Sequence, residues 1–213
     1  DVRRSGRSEM PALSLSQVSN FIEFKYQNYL PINWDFKSGI QINLVDNTNL
    51  PGTGILPLIP DYIAYKNGVF GILSKSFDKT SIEFGGRYDF ENRNVAAISI
   101  SIPREIIRYQ KQYHNLSAMS GISHDLGNDW KAAINLGYAA RNPEVNELYS
   151  NGLHQGVSGI EQGDTSLSKE ISVKNTISIN GNVKNRLFFE GLFYYQKINN
   201  YIFLNPQDEI RLT

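Results

Sequence analysis

The stretch IEFGGRYDF occupies residues 82–90. Ile82, Phe84, Gly86, Tyr88 and Phe90 point one way, and Glu83, Gly85, Arg87 and Asp89 point the other. A period of two is the mark of an extended strand whose two faces meet different surroundings. Working outward, the same alternation recurs. Trp34, Phe36, Ser38, Ile40, Ile42 and Leu44 alternate with Asp35, Lys37, Gly39, Gln41 and Asn43. Trp130, Ala132, Ile134, Leu136 and Tyr138 alternate with Lys131, Ala133, Asn135, Gly137 and Ala139. Ile171, Val173, Ile177 and Ile179 form a further row that Asn175 interrupts, opposite Ser172, Lys174, Thr176 and Ser178. Leu187, Phe189, Gly191, Phe193 and Tyr195 face away from a weaker polar row containing Glu190. Ile22, Phe24 and Tyr26 close another strand, and residues 69–77 and 116–122 are strands of open phase. Helical periodicity is nearly absent; residues 103–112 are the one stretch that could wind.

These segments run to roughly 10 to 15 residues, against 5 or 6 in ordinary globular strands. About 9 to 11 tilted residues cross a bilayer as a β-strand. The connections alternate in length. Residues 27–33, 78–80, 127–129 and 181–185 are short, whereas 46–61, 91–112 and 142–168 are long. Short turns on one rim and long loops on the other define an outer-membrane barrel, and a soluble sandwich has no reason to keep that parity. Aromatics gather at the strand ends: Tyr26, Trp34, Phe77 and Trp130 beside short turns, and Tyr88, Phe90, Tyr138 and Tyr195 toward long loops. Smaller or aliphatic residues (Ile40, Gly86, Ile134, Ile177) fill the middles. Two girdles around an apolar band suit two membrane interfaces.

The fold class expected is therefore all-β, a long antiparallel meander of about eight strands belonging to a transmembrane barrel of about 22 strands when complete. The opposite face carries Asp35, Lys37, Gln41, Glu83, Arg87, Asp89, Lys131, Asn135, Lys174 and Glu190. Such a mixed-charge wall cannot be a dry core, because unpaired buried charges cost several kcal/mol each. It needs water or a polar plug.

Composition removes other classes. Among 213 residues, Lys plus Arg is 21 and Asp plus Glu is 21, for a net charge of zero, so the basic excess that binds nucleic acid is missing. There is no cysteine, hence no disulfide, thiolate metal site or thiol nucleophile. No apolar run approaches the length of a transmembrane helix. Residues 1–11, DVRRSGRSEMP, hold no apolar signal region. Arg3, Arg4 and Arg7 are expected to be a solvated loop end leading into the first strand.

Residues 141–170 read RNPEVNELYSNGLHQGVSGIEQGDTSLSKE. Five spaced elements stand out: Arg141 with Pro143; Glu147 to Tyr149; Gly152 to His154 with Gly156; Glu161 with Gly163; and Leu167 with Glu170. In this order, before a barrel strand, they resemble the motif of TonB-dependent outer-membrane receptors. NLPGTGILPLIPDY, residues 49–62, is similar to a loop in such receptors from Bacteroidetes-like bacteria, and GGRYDFENRNV, residues 85–95, to the family's strand ending in Arg-Tyr-Asp. The likeness spans roughly residues 34–204. It implies a receptor in the outer membrane of a Gram-negative bacterium, with no enzymatic chemistry and no cofactor. The cargo implied is a scarce ligand, a ferric siderophore or another metal complex. Implied partners are a plug domain, the TonB complex reached through an N-terminal part, and the lipid bilayer. Plug, TonB-contacting box and terminal aromatic residue are not in these residues, so 1–213 is expected to be a single barrel segment without plug domain or barrel C-terminus.

Catalytic motifs are lacking: there is no Gly-x-Ser-x-Gly elbow, phosphate loop or His-Glu-x-x-His, and Gly52-Thr53-Gly54 reads as turn chemistry between prolines. The histidines are His114, His124 and His154. Candidate ligand contacts in the long loop are His154, Tyr149, Arg141 and Glu147. Arg141 and Glu147 are expected to order the loop base through charge-assisted bonds to the barrel wall or to a plug. Haem-importing relatives carry a loop histidine between Arg-Ala-Pro and Asn-Pro-x-Leu elements. Here Arg141-Asn142-Pro143 and Asp164-Thr165-Ser166-Leu167 depart from both, and ordering of the loop is the blander role for His154. Candidate residues facing the bore and a plug are Glu83, Arg87, Asp89, Lys131, Lys174 and Glu190. Tyr62 and Tyr65 could stack on a ligand or anchor at the interface. Alternatives are a soluble β-repeat binding protein of the propeller kind, a haem-specific receptor using His154, and a small autonomous barrel of about eight strands.

Overall fold

The computed structural model describes residues 2–4, 11–53, 56–99, 102–154, 159–184 and 186–207. The chain runs through β1 (Val2–Arg4), β2 (Pro11–Leu30), β3 (Trp34–Asn49), β4 (Asp61–Phe77), β5 (Thr80–Ile98), β6 (Ile106–Gly127) and β7 (Trp130–Arg141). It continues through α1 (Val145–Tyr149), β8 (Asn151–His154), β9 (Gly159–Gln162), β10 (Glu170–Val183) and β11 (Leu187–Asn199). One antiparallel sheet takes the order β1-β2-β3-β4-β5-β6-β7-β10-β11, while β8 and β9 form a separate hairpin. The eight long strands each pair with their neighbours in sequence, so this is the meander expected, a segment of barrel wall.

The strands are longer than their apolar rows indicate, from 12 residues in β7 to 22 in β6. Two expectations are corrected here. Residues 91–112 are not a long loop, because β5 continues to Ile98 and β6 starts at Ile106. Residues 103–112 are not helical; they enter β6. The reason lies in the surroundings. Beyond Phe90 the outward row turns polar at Asn92 and Asn94, so the sign of an oily face ends although strand pairing continues. Length parity of the connections survives: turns between paired strands cover residues 31–33, 78–79, 128–129 and 184–186, against 50–60, 99–105 and 142–169 on the other rim. Asn33, Asp78, Asn128, Asp129 and Lys184 hold the turns with positive φ, as does Ile32 at φ 64°.

Register shows why the faces differ. A single row across the sheet reads Leu30, Trp34, Lys75, Ile82, Ile122, Ile134, Ile177 and Phe193. This outward face has no second layer over it: Phe193 is 70% exposed, Phe24 68% and Ile177 54%. Burying one such side chain is worth about 1.5–3 kcal/mol, so a sheet left this way in water would be far from stable. The other face curls. Glu23 on β2 and Lys174 on β10 border one hollow of about 660 Å³. A flat sheet would separate those strands by roughly 29 Å, six strand spacings. The strands of open phase are now placed: Val69 and Leu73 point outward, and Phe70, Ile72 and Met119 line the hollow. Gly39 permits this, since a Cβ there would lie 2.5 Å from the Phe70 ring.

Buried residues sit elsewhere. Val95, Val145, Leu148 and Tyr149 form the core cluster, packed by Ile59, Tyr62, Tyr109 and Leu167. It lies at the long-loop rim, where α1 folds back on β5 and β6. Arg7 and Gly54 lie outside the described residues, as do Gly156 and residues 208–213; Arg3 and Arg4 belong to β1, which pairs with β2.

Candidate functional site

The raised ends of β5 and β6 carry a second polar system above the aromatic girdle. Strand alternation brings Glu91, Arg93 and Val95 onto the concave side, opposite Tyr113, Lys111 and Tyr109 of β6. The loop after β7 descends onto them. Arg93, 1% exposed, donates from Nε to Glu91 and from Nη1 to the Pro143 carbonyl. Asn142 donates to the second Glu91 oxygen at 2.9 Å and accepts from Asn115 at 2.8 Å. Lys66 approaches Glu91 at 3.4 Å and Glu144 approaches Arg93 at 3.7 Å. Burial alone would raise the Glu91 carboxyl, but Arg93, Asn142 and Lys66 outweigh it and hold it below its ordinary value. Burial raises Tyr62, Tyr113 and Tyr149, which face this cluster.

A second clasp closes the loop base. Arg141 Nη1 donates to both Glu147 oxygens at 3.0 Å, and Nη2 to Glu170 at 2.8 Å. The bond from Arg141 holds the Glu170 carboxyl below its ordinary value, and Glu170 accepts a further one from the Ile202 amide. Glu170, with Glu147, in turn raises Arg141, so it stays charged at any ordinary pH. Glu147 also closes a capping box with Glu144 at the start of α1, placing Leu148 and Tyr149 downward into the core. The chain then returns tightly over the helix. A Cβ on Gly163 would lie 2.5 Å from the Leu148 carbonyl carbon, so only glycine fits. Lys111 donates to the Thr165 carbonyl at 2.8 Å and Lys169 to the His114 carbonyl at 3.0 Å. The β8–β9 hairpin rests on residues 56–58, with the Asn151 amide donating to Leu58.

Of the four loop candidates, Arg141 and Glu147 therefore meet each other. Tyr149 is 7% exposed and stacks on Tyr109 with centroids 4.6 Å apart. His154 stands apart on the hairpin, its Nδ1 3.0 Å from Glu161. No group of three metal-ligating side chains occurs among the described residues. The six wall candidates share the concave face. Arg87 and Asp89 pair side by side, Lys174 lies 5.3 Å from the Tyr194 ring, and Lys131 and Glu190 flank Asn180 in register. Glu83 is exposed between Ser74 and Gly121. Tyr62 packs at the rim core, and Tyr65 points outward at 40% exposure. Sequence reasoning missed Glu91, Arg93, Asn115 and Asn142. Continuing the odd-numbered row past Asp89 would have found the first two.

The family model for the TonB dependent receptor-like β-barrel matches residues 6–212. The chain belongs to that family. Two solved structures are among those that share its fold. One is a double mutant of the Serratia marcescens hemophore receptor HasR in complex with its hemophore HasA and heme, at TM-score 0.67 and 17% identity. The match covers 88% of this chain and 33% of HasR. The other is the copper transporter OprC, at TM-score 0.69 and 14% identity, over 92% of this chain and 32% of OprC. The chain thus spans about a third of either. No curated protein sequence matches it.

Proposed function

We propose that this chain is part of the wall and outer rim of an outer-membrane, TonB-dependent transporter for a scarce metal complex, with a ferric siderophore as the leading cargo. The observation that carries this reading is one sheet with two incompatible faces. The outward rows are apolar and uncovered, which suits lipid. The concave face is charged and hollow, which suits a bore occupied by water and a polar plug. Glu83, Arg87, Asp89, Lys131, Lys174 and Glu190 would face that plug, around the apolar island of Phe70, Ile72 and Met119. The long-loop rim would be extracellular, and its work would be capture and release with no covalent step, powered through a TonB complex.

A second reading, haem as cargo, draws on one contact. Glu161 holds His154 Nδ1, which fixes the ring and leaves Nε2 directed elsewhere. Arg141, Glu147 and Tyr149 would then support the loop that presents it.

The experiment is growth of a strain lacking the complete receptor, restored with the intact gene, on defined iron, haem, copper or cobalamin sources. Rescue on one ferric chelate and loss of its uptake supports the first reading. Rescue on haem that His154→Ala abolishes supports the second. Equal growth on every source with and without the gene refutes a transport role.

A further inference from the structure

We propose that the outward face carries a binding site for the anionic headgroup of a phospholipid in the turn-side leaflet, centred on Lys75. The proposal rests on the reading that this face meets lipid. Among the described residues, Lys75 is the single Asp, Glu, Lys or Arg on the outward rows between the short turns and the row of Tyr138, in which Lys197 stands level with the girdle. It interrupts the row that runs Leu30, Trp34, Lys75, Ile82, Ile122. A cation in that row needs a reason, since lysine on a lipid face is costly at depth and tolerable only close to an interface.

The surroundings supply one. The ammonium lies 5.3 Å from the Trp34 ring centroid and 4.7 Å from that of Phe77. Phe77 is two residues nearer the turn, so the side chain reaches toward the interface and is held there by two aromatic faces. Neighbouring carboxylates do not claim it. Asp35 and Glu83 sit on the opposite face, and Asp35 is engaged by Lys37 and Gln27. The next outward row toward the turn is Phe77, Thr80 and His124, in which the Thr80 hydroxyl and His124 Nδ1 are 2.8 Å apart. A fixed cation, indole and imidazole N–H groups and a hydroxyl, all at one interface beside an apolar band, match a phosphodiester headgroup whose acyl chains lie along Ile82 and Ile40. Inorganic phosphate offers the same charge without the chains.

The test uses the complete receptor in bilayers with brominated lipids. The Trp34 fluorescence is taken as the difference between wild type and Trp34→Phe. Brominated phosphatidylglycerol should quench it about fivefold more effectively than brominated phosphatidylcholine at equal mole fraction, the preference expected from one interfacial lysine. Lys75→Gln should abolish the preference and Lys75→Arg should keep it, with inorganic phosphate failing to compete. Equal quenching by both lipids, or a preference unchanged in Lys75→Gln, overturns the proposal while leaving the lipid-facing reading intact. Competition by inorganic phosphate overturns the lipid assignment. Absence of quenching by either lipid overturns both together.

Discussion

The belt between the aromatic girdles and the rim above it are built from the same strands by opposite means. In the belt, outward apolar side chains such as Phe24, Phe84 and Ile177 are half exposed or more. At the rim lie the buried Ala64, Val95, Val145, Leu148 and Tyr149 and the buried Glu91, Arg93, Asn115 and Asn142. The belt takes its stability from whatever wets its outside. The rim carries a small core of the kind found in water-soluble proteins, closed by a buried ion pair. The contrast teaches that one hydrogen-bonded ladder can pass from one solvent to another with no change in backbone, provided the side chains change rules at the crossing.

Breaking the rim alone should give the largest effect. Arg93→Ala leaves Glu91 buried without its counter-charge, a loss of about 3–5 kcal/mol. Limited proteolysis of the complete receptor should then cut within residues 142–169 while the belt stays protected. Conversely, Ile177→Lys, in the middle of the band, should destabilise the barrel in bilayers by about 2–4 kcal/mol. Asn92→Lys, on the same outward side but above the girdle, should change urea unfolding by less than about 1 kcal/mol. If the two lysines cost the same, the boundary drawn at Phe90 is wrong.

Acid sharpens the comparison. Glu91 and Glu170 are held below the ordinary glutamate value of 4.5. Their charged forms are favoured in the folded rim, so that stability is present above the ordinary value and is lost as pH falls through the folded values. Hydrogen exchange in 142–169 should accelerate there, with belt amides unaffected. The smallest effect concerns a turn. Ile32, β-branched and at φ 64°, occupies a left-handed conformation that asparagine adopts more easily. Ile32→Asn should raise stability by about 1 kcal/mol, read as a higher urea midpoint.

The belt was legible in the sequence because lipid imposes a strict period of two, as in Ile82 to Phe90, and because a phase error of one residue would turn every oily side chain inward. The phase of residues 69–77 stayed open because Phe70 and Ile72 are apolar on the wrong face. They are accommodated by flat neighbours such as Gly39, a pairing between strands that spacing within one strand does not reveal. Strand ends were misjudged for the reason already seen at Asn92: once the outward row turns polar as well, no oily face marks the strand, and an extended segment and a loop look alike in composition. In the loop, the elements 141–170 could be recognised by resemblance and Arg141 and Glu147 read as ties of its base, but the work of the other elements could not be read. Gly163 is required by its approach to Leu148, and Asn142 by Glu91 and Asn115, partners 51 and 27 residues away.

The most direct measurement is a nitroxide scan of the complete receptor in bilayers, one label at a time along β5 and β10, comparing collision with oxygen and with a water-soluble nickel chelate. Labels at Phe84, Tyr88, Val173 and Ile177 should favour oxygen. Those at Glu83, Arg87, Lys174 and Ser178 should favour nickel, with the alternation fading beyond Phe90 on β5. A uniform oxygen-to-nickel ratio along these strands, or the opposite phase, would contradict the assignment of the outward face to lipid.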